Sequence, residues 1–318
     1  MKYKRLGRTG LKVSEVCLGT MTFGSQADEQ ASKAIVKRAL DAGVNFFDTA
    51  NVYNAGVSEE FTGRALQGVR RDIVLATKLH GRMGPAPNDA GQSRKHIIEA
   101  VEQSLRRLGT DYIDLYQVHR FDPDSPLDET LGALDDLVRS GKVRYIGASN
   151  YAAWQLCTAL WTSDKLHLAR YDCIQPRYNL ISRAIEQELL PLCQAQGVGV
   201  IVYNPLAGGM LTGKHQRQAP PTSGTRFDMN PMYRNRYWQE RVFDAVDRFR
   251  EIAAGTGHSM AQVALAWSLA NPVVTSAILG ASRVEQLDET LPAVDIVLSA
   301  EQLQQLQDLW ENVGRREF

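Results

Sequence analysis

No run of about 18 consecutive apolar residues interrupts the chain, so no membrane-spanning helix, and no membrane partner, is expected. The opening Met-Lys-Tyr-Lys-Arg-Leu-Gly lacks the apolar core of a secretory signal. Cysteine is scarce: Cys17, Cys157, Cys173 and Cys193 stand apart, none in a CxxC pair, and no two histidines lie at ligand spacing. A disulfide framework and a metal site are therefore not expected, and a reducing, cytoplasmic compartment fits. Neither charge sign is in excess, with 36 Lys and Arg against 36 Asp and Glu. A nucleic-acid partner, which needs a basic face to neutralise phosphates, is not expected. Linkers, low-complexity tracts and short-period repeats are also missing, so residues 1–318 are expected to form one domain. No GxGxxG follows the first strand, and Gly197-Val198-Gly199 opens a strand rather than a helix, which sets aside a Rossmann reading.

What is present is alternation. Short apolar, β-branched runs at 16–19, 44–47, 73–77, 113–118, 143–148, 173–175, 198–202 and 275–279 read as strands. Amphipathic stretches at 28–42, 58–66, 93–108, 127–140, 152–162, 184–196, 260–270 and 301–313 read as helices. In the first helix Ala31, Ala34, Ile35, Ala39 and Leu40 share a face, and Gly43 stops it. Ser58 reads as the cap of the second, with Glu59 and Glu60 in its first turn. Strands separated by helices imply parallel pairing and right-handed crossovers. A doubly wound sheet satisfies alternation alone; a count of eight favours an α/β fold closed as a TIM-type (β/α)8 barrel. Residues 3–13 read as an N-terminal β-hairpin. Residues 204–238 read as a long irregular stretch, rich in Gly, Pro and Arg, of the kind that forms a lid or binding loop.

In such a barrel the chemistry sits at the C-terminal ends of the strands. Asp48 follows the second strand, with Tyr53 in the loop beyond; Lys78 follows the third and His119 the fourth. Singly, each has a bland reading as a cap, a surface aromatic, a solvated charge or a strand-end histidine. Together, at three successive strand ends, they form a proton-handling set. A carbonyl that receives hydride develops negative charge on oxygen and needs a proton. A tyrosine hydroxyl supplies it if a neighbouring ammonium stabilises the phenolate. Lys78 is placed to do this, with Asp48 holding the lysine, and His119 to hydrogen-bond and orient the carbonyl oxygen.

The segments Asn45-Phe46-Phe47-Asp48-Thr49-Ala50 with Tyr53, Leu75-Ala76-Thr77-Lys78, and Asp111-Tyr112-Ile113-Asp114-Leu115-Tyr116-Gln117-Val118-His119 resemble the aldo-keto reductase superfamily. The branch is the one that includes bacterial aldo/keto reductases and potassium-channel β subunits, and the resemblance covers nearly the whole chain. It implies that Asp48, Tyr53, Lys78 and His119 are a catalytic tetrad. It also implies NADP(H) as cofactor and small-molecule aldehydes or ketones as substrates, reduced to alcohols.

The later strand ends supply what a dinucleotide needs. Ser149, Asn150 and Gln175 offer donors and acceptors suited to a nicotinamide carboxamide, and Tyr203 a face to stack on the ring. The stretch Asn204, Pro205, Leu206, Ala207 and Gly208, continuing to Lys214, offers close backbone approach and charge to a pyrophosphate. After the eighth strand, Gly280 precedes a helix start read at Ser282, an anion site in waiting. Ser282, Arg283 and, from the long loop, Arg226 are cationic or polar groups suited to a ribose 2′-phosphate, which favours NADP over NAD. The resemblance adds Gln286 and Glu289 to this set, and Gly19, Thr20, Met21 and Asp48 at the rim. Thr290 stands where relatives commonly carry Asn against the adenine.

Met21, Phe23, Tyr53, His119, Phe121 and Tyr233 are the expected pocket walls, with Met232, Tyr237 and Trp238 as further candidates and Arg234 and Arg236 placed to attract an anionic substrate. Two rivals stay open. One is an NADP(H)-binding regulatory or redox-sensing module like the channel β subunits, which usually carry Asn where this chain has His119. The other is a cofactor-free barrel hydrolase or isomerase.

Overall fold

A computed structural model describes residues 1–313. Two short strands, β1 (Tyr3–Arg5) and β2 (Lys12–Ser14), pair antiparallel as a hairpin. Eight further strands follow: β3 (Val16–Gly19), β4 (Phe46–Asp48), β5 (Val74–Leu79), β6 (Ile113–Val118), β7 (Val143–Ser149), β8 (Tyr171–Gln175), β9 (Gly199–Val202) and β10 (Val274–Gly280). They pair in parallel in sequence order, and β10 closes on β3, so the expected eight-stranded barrel with its N-terminal hairpin is the fold.

The hairpin plugs the N-terminal mouth. Leu6 and Val13 pack with Cys17, Phe46, Leu115, Cys173 and Ile201 from the barrel interior. Gly7 sits at φ +57, and a Cβ there would lie 2.5 Å from Gly197 O and Gly199 N, so only glycine permits this approach. With one end sealed by apolar side chains, polar groups converge at the other.

The helices α1 (Glu29–Asp41), α2 (Val57–Ala65), α3 (Arg94–Leu108), α4 (Leu127–Arg139), α5 (Ala153–Leu166) and α6 (Leu189–Gln196) follow the first six barrel strands, one after each. Their apolar stripes form the larger core against the outer faces of the strands. Local signals set their ends. Asp28 caps α1 by accepting from Ala31 N at 2.8 Å, and Gly109 ends α3 at φ +63. After β9 come α7 (Arg226–Met229), α8 (Pro231–Tyr237), α9 (Glu240–Thr256) and α10 (Met260–Ala270); α11 (Val284–Thr290) and α12 (Ala300–Val313) follow β10.

Four local expectations are corrected. Residues 204–238 are not wholly irregular, since they hold a 3-10 turn at Ala207–Thr212 and the helices α7 and α8. The helix read at 184–196 is split, with a 3-10 turn at Ala184–Glu186 before α6. The helix read from Ser282 begins at Val284, with Arg283 in the capping position. Finally, Ser58 does not cap α2: Gly56 holds that position at φ +98, while the buried Ser58 hydroxyl donates to Thr20 O at 2.7 Å and meets Thr49 Oγ1 at 3.0 Å. Glu59, read as a first-turn acid, is likewise fully buried, accepting from Thr77 Oγ1 at 2.6 Å and pairing with Arg107 at 2.7 Å. The 17-residue α9 went unread, although Val242, Phe243, Val246, Phe249 and Ala253 give it a buried stripe. No helix among the described residues is long and apolar enough to cross a membrane, and the four cysteines are free thiols, Cys157 alone of them exposed.

Candidate active site

Register delivers the tetrad. Asp48 ends β4, Lys78 lies one residue from the end of β5, and His119 follows β6, its N–H bonded to Leu79 O at 2.9 Å. Tyr53 begins a tight turn in which Asn54 and Ala55 take positive φ values of 49° and 54°. The Asn54 amide donates to Met21 O at 3.1 Å and Phe23 O at 2.6 Å, which ties this turn to the loop after β3.

The four side chains meet. Lys78 is fully buried, and its three N–H donors go to Asp48 Oδ1, to Thr49 O at 2.8 Å and to Tyr53 OH at 3.4 Å. Its ammonium also lies 5.1 Å from the Tyr53 ring centroid. The His119 ring stands edge-on to Tyr53, with centroids 5.7 Å apart. Burial pulls the Lys78 ammonium down, but Asp48 first and then Tyr53 outweigh it, and its pKa ends above the ordinary lysine value.

For Tyr53 the balance differs from the expectation of a lowered pKa. Lys78 does pull the phenol down, yet burial is the larger effect and Asp48 adds to it, so the pKa ends above the ordinary tyrosine value. The phenol keeps its proton at neutral pH. His119 is pushed down to about 3 by burial first, then by Lys78, His80 and Arg120, so its imidazole is neutral and carries a single N–H.

Two amides that carry no proton chemistry complete the set. Asp48 Oδ2 accepts from Gln175 Nε2 at 2.9 Å and from Gln117 Nε2 at 3.1 Å. Gln175 was expected at the nicotinamide. Gln117 was not singled out, although an amide inside an otherwise apolar strand run was a visible signal.

The residues assigned to a dinucleotide also gather at this end. Ser149 Oγ donates to Gln175 O at 2.8 Å. Asn150 donates to Ser149 Oγ at 2.9 Å and to His119 O at 3.0 Å, and accepts from Tyr203 OH at 2.8 Å. Asn204, Pro205 and Ala207 are buried in the turn after β9, with Leu206 half-buried, and Asn204 Oδ1 accepts from Gly208 N at 2.6 Å. Gly208 takes φ +71, and a Cβ there would strike the Tyr233 ring at 2.6 Å. Lys214 is exposed, yet its ammonium is held below the ordinary value by desolvation first, then by Arg283 and Arg226. Arg226 also lies under Gly280, where a Cβ would come within 3.0 Å of its Nη2, and 5.7 Å from the Tyr233 ring. None of these three cations forms an ion pair among the described residues, so their charge is free for an anion, and the residues present fit a phosphate-bearing cofactor. Ser282 and Gln286 bond each other at 2.8 Å, and Glu289 accepts from Ser259 at 3.5 Å.

Other assignments separate. Phe23, expected at the pocket wall, has no exposed surface and lies in the main core, leaving nothing for a substrate to touch. Thr20 is fully buried, with its N–H on Asp48 O at 2.9 Å and its hydroxyl against Ser58, and Gly19 lies beside Ile278, so both build the rim rather than line it. Tyr237 is buried, its hydroxyl bonded to Asn179 and Asn204, and Arg234 turns back onto Phe227 O at 2.6 Å. Met21 is 37% exposed and Met232 48%. Phe121 is half-buried against Tyr151 and Trp154, and Tyr233 is buried beside Gly208.

Comparison with known proteins agrees with this geometry. Residues 15–311 match the model of the aldo/keto reductase family. An uncharacterized oxidoreductase, YrpG, of Bacillus subtilis (strain 168) is 42% identical over 326 residues, covering 99% of this chain and 97% of its own. A probable voltage-gated potassium channel subunit beta of Arabidopsis thaliana is 41% identical over 304 residues, with 93% and 92% covered. The L-glyceraldehyde 3-phosphate reductase of Escherichia coli O157:H7 is 36% identical over 319 residues, with 96% and 91% covered.

Proposed function

The chain belongs to the aldo/keto reductase family, and from that premise we propose that it works as a single-domain, NADPH-dependent reductase of aldehyde or ketone carbonyls, with Tyr53 as the proton donor. The observation that carries this reading is the buried Lys78 ammonium, paired with Asp48 and 3.4 Å from the Tyr53 hydroxyl. Ser149, Asn150, Gln175 and Tyr203 would hold a reduced nicotinamide, which would supply the hydride.

The chain's own groups handle the rest. The neutral His119 donates its N–H to the carbonyl oxygen and orients it, working without a charge of its own. Tyr53 holds its proton through substrate binding, because burial raises its pKa. As negative charge develops on the substrate oxygen, the phenol proton moves to it. The phenolate left behind is stabilised by Lys78, whose hydrogen bonds to Asp48 and Thr49 O prevent it from drifting away. Lys214, Arg226 and Arg283 favour a cofactor with a 2′-phosphate. Met21, Phe121 and Tyr233 shape the pocket.

The test follows NADPH absorbance in the near ultraviolet against a panel of small aldehydes and ketones. The protein should oxidise NADPH with at least one of them. Tyr53→Phe should cut kcat about 100-fold or more, the scale of a lost general acid, while NADPH binding read by tryptophan fluorescence changes little. Equal turnover in that variant would refute the assignment. A second reading is favoured by the likeness to a plant channel subunit: tight NADPH binding with no turnover on any carbonyl would mark a regulatory module. Absence of binding to NADPH and NADH alike would leave the cofactor-free barrel reading.

A further inference from the structure

In β6, Gln117 is fully buried, where an amide is stable only if its hydrogen bonds are made. Its partners are two. Gln117 Nε2 donates to Asp48 Oδ2 at 3.1 Å, and Gln117 Oε1 accepts from Gln175 Nε2 at 3.3 Å. The same Gln175 nitrogen donates to Asp48 Oδ2 at 2.9 Å. A carboxylate only accepts, so both amides must turn their NH2 groups toward it, and neither can flip without opposing a carbonyl to a carboxylate. The three side chains form a closed ring whose orientation is set by chemistry.

The next strand makes room for it. Gly147 of β7 faces Gln117, and a Cβ there would lie 3.3 Å from Gln117 Cγ and 2.7 Å from Cys173 Sγ. Around Tyr53 the charged and titratable groups are Asp48 from β4, Lys78 from β5, His119 after β6 and Tyr233 from α8. Gln117 touches none of the reacting atoms, but it touches the carboxylate that holds Lys78.

We propose that Gln117 is a positioning residue, which by anchoring Asp48 Oδ2 and orienting Gln175 sets how strongly Lys78 acts on the Tyr53 hydroxyl. The proposal rests on the reductase reading above. Without the Gln117 N–H, the Asp48 charge is less compensated and draws the ammonium more strongly to itself. Both effects make the phenolate harder to form.

Gln117→Met keeps the volume and removes the hydrogen bonds. The expected result is a fall in kcat of about 10-fold or more, the scale of one hydrogen bond to a charged group, with KM for the carbonyl changed less than about 2-fold. In the cofactor-free protein the Tyr53 titration, followed by 13C NMR of labelled tyrosine and assigned with Tyr53→Phe, should move further up. Gln117→Glu supplies a rescue that depends on pH. Protonated, the new carboxyl donates to Asp48 as the amide does; ionised, it repels Asp48. That variant should gain a limb in kcat/KM, near wild type on the acid side and falling as pH rises.

An unchanged kcat and Tyr53 titration in folded Gln117→Met would overturn the proposal. So would equal losses at every pH in both variants accompanied by a lower Tm, the mark of a merely structural residue. Should Gln117→Met not fold, the pH limb of Gln117→Glu decides, and its absence counts against the proposal. If the wild type turns over no carbonyl, the reductase reading fails separately, while the Tyr53 titration still reports on Gln117.

Discussion

Removing the charge of Asp48 should destabilise the folded protein strongly, and the reason lies in three donors that all point at it. Lys78 is fully buried and Asp48 nearly so, with Gln117 and Gln175 on the second carboxylate oxygen. In Asp48→Asn the new amide can still accept from Lys78, but it then turns its own NH2 toward two other NH2 groups. Breaking one partner of a buried ion pair costs about 3–5 kcal/mol, because a buried charge is left uncompensated. Urea unfolding followed by tryptophan fluorescence should show a loss of that order. Lys78→Met should also destabilise, but the double variant should lose less than the sum of the two, with a coupling of about 2 kcal/mol or more.

The pH dependence of the same variant has a definite sign. In the wild type Lys78 titrates above its ordinary 10.5, so the stability it contributes is complete below that value and is lost as pH rises through the folded-state pKa. In Asp48→Asn the desolvation of the ammonium is no longer opposed by a carboxylate, and its pKa falls below the ordinary value. The penalty is then present at neutral pH and relieved as pH rises. Between about pH 8 and 10, near the reference lysine value, the variant should gain stability relative to the wild type, since the buried thiols whose pKa values are raised are common to both. A cost below about 1 kcal/mol, or additive single effects, would show that the buried pair is not what holds this site together.

Further consequences can be checked separately. Because His119 titrates at about 3, kcat/KM should show no limb from it between about pH 5 and 8, the range of an ordinary histidine; a limb there that disappears in His119→Phe would contradict the neutral-donor role. His215 is buried between Phe227 at 4.8 Å and Trp238 at 5.3 Å with both ring nitrogens unpartnered, so His215→Phe should stabilise the protein by about 1–2 kcal/mol, measured by urea unfolding. Burial first and then Lys214 lower its pKa to about 4 from 6.5, so His215 carries no charge penalty above pH 6.5 and costs stability increasingly as pH falls toward 4; a pH slope that persists unchanged in the variant would sink this account. Arg226→Ala should weaken NADPH binding about 10-fold or more, as loss of one charge-assisted hydrogen bond does, with NADH binding changed less than 2-fold; equal losses for both cofactors would place Arg226 elsewhere than on a 2′-phosphate.

Much of the barrel was legible because its signals are local. Apolar runs of strand length alternated with amphipathic helices, and Gly43, read as the stop of the first helix, takes a left-handed φ of 82° just beyond α1. The misreadings came where a residue's local preference was overridden by a distant partner. Ser58 suits a cap, but its hydroxyl bonds Thr20, 38 positions away. Glu59 does stand in the first turn of α2 as expected, and there its carboxylate is buried on Arg107 and Thr77. Phe23 suits a pocket wall, but the tie from Asn54 to the carbonyls of Met21 and Phe23 helps fix the loop that seats it in the core.

By itself the sequence determined the alternation of strands and helices, the count of eight barrel strands and the identities of the polar groups at their ends, since a strand rim is where a polar residue can follow an apolar run without burying an unpaired charge. Tertiary structure alone decided which of those groups meet. Asp48 collects Lys78 from 30 positions away, Gln117 from 69 and Gln175 from 127. No periodicity records such a pairing, because it depends on where the closed sheet places each strand beside its neighbours. The balance at Tyr53 was decided there too. The ammonium beside it was foreseeable from the strand ends, but the depth of burial that outweighs it exists only once the barrel has closed.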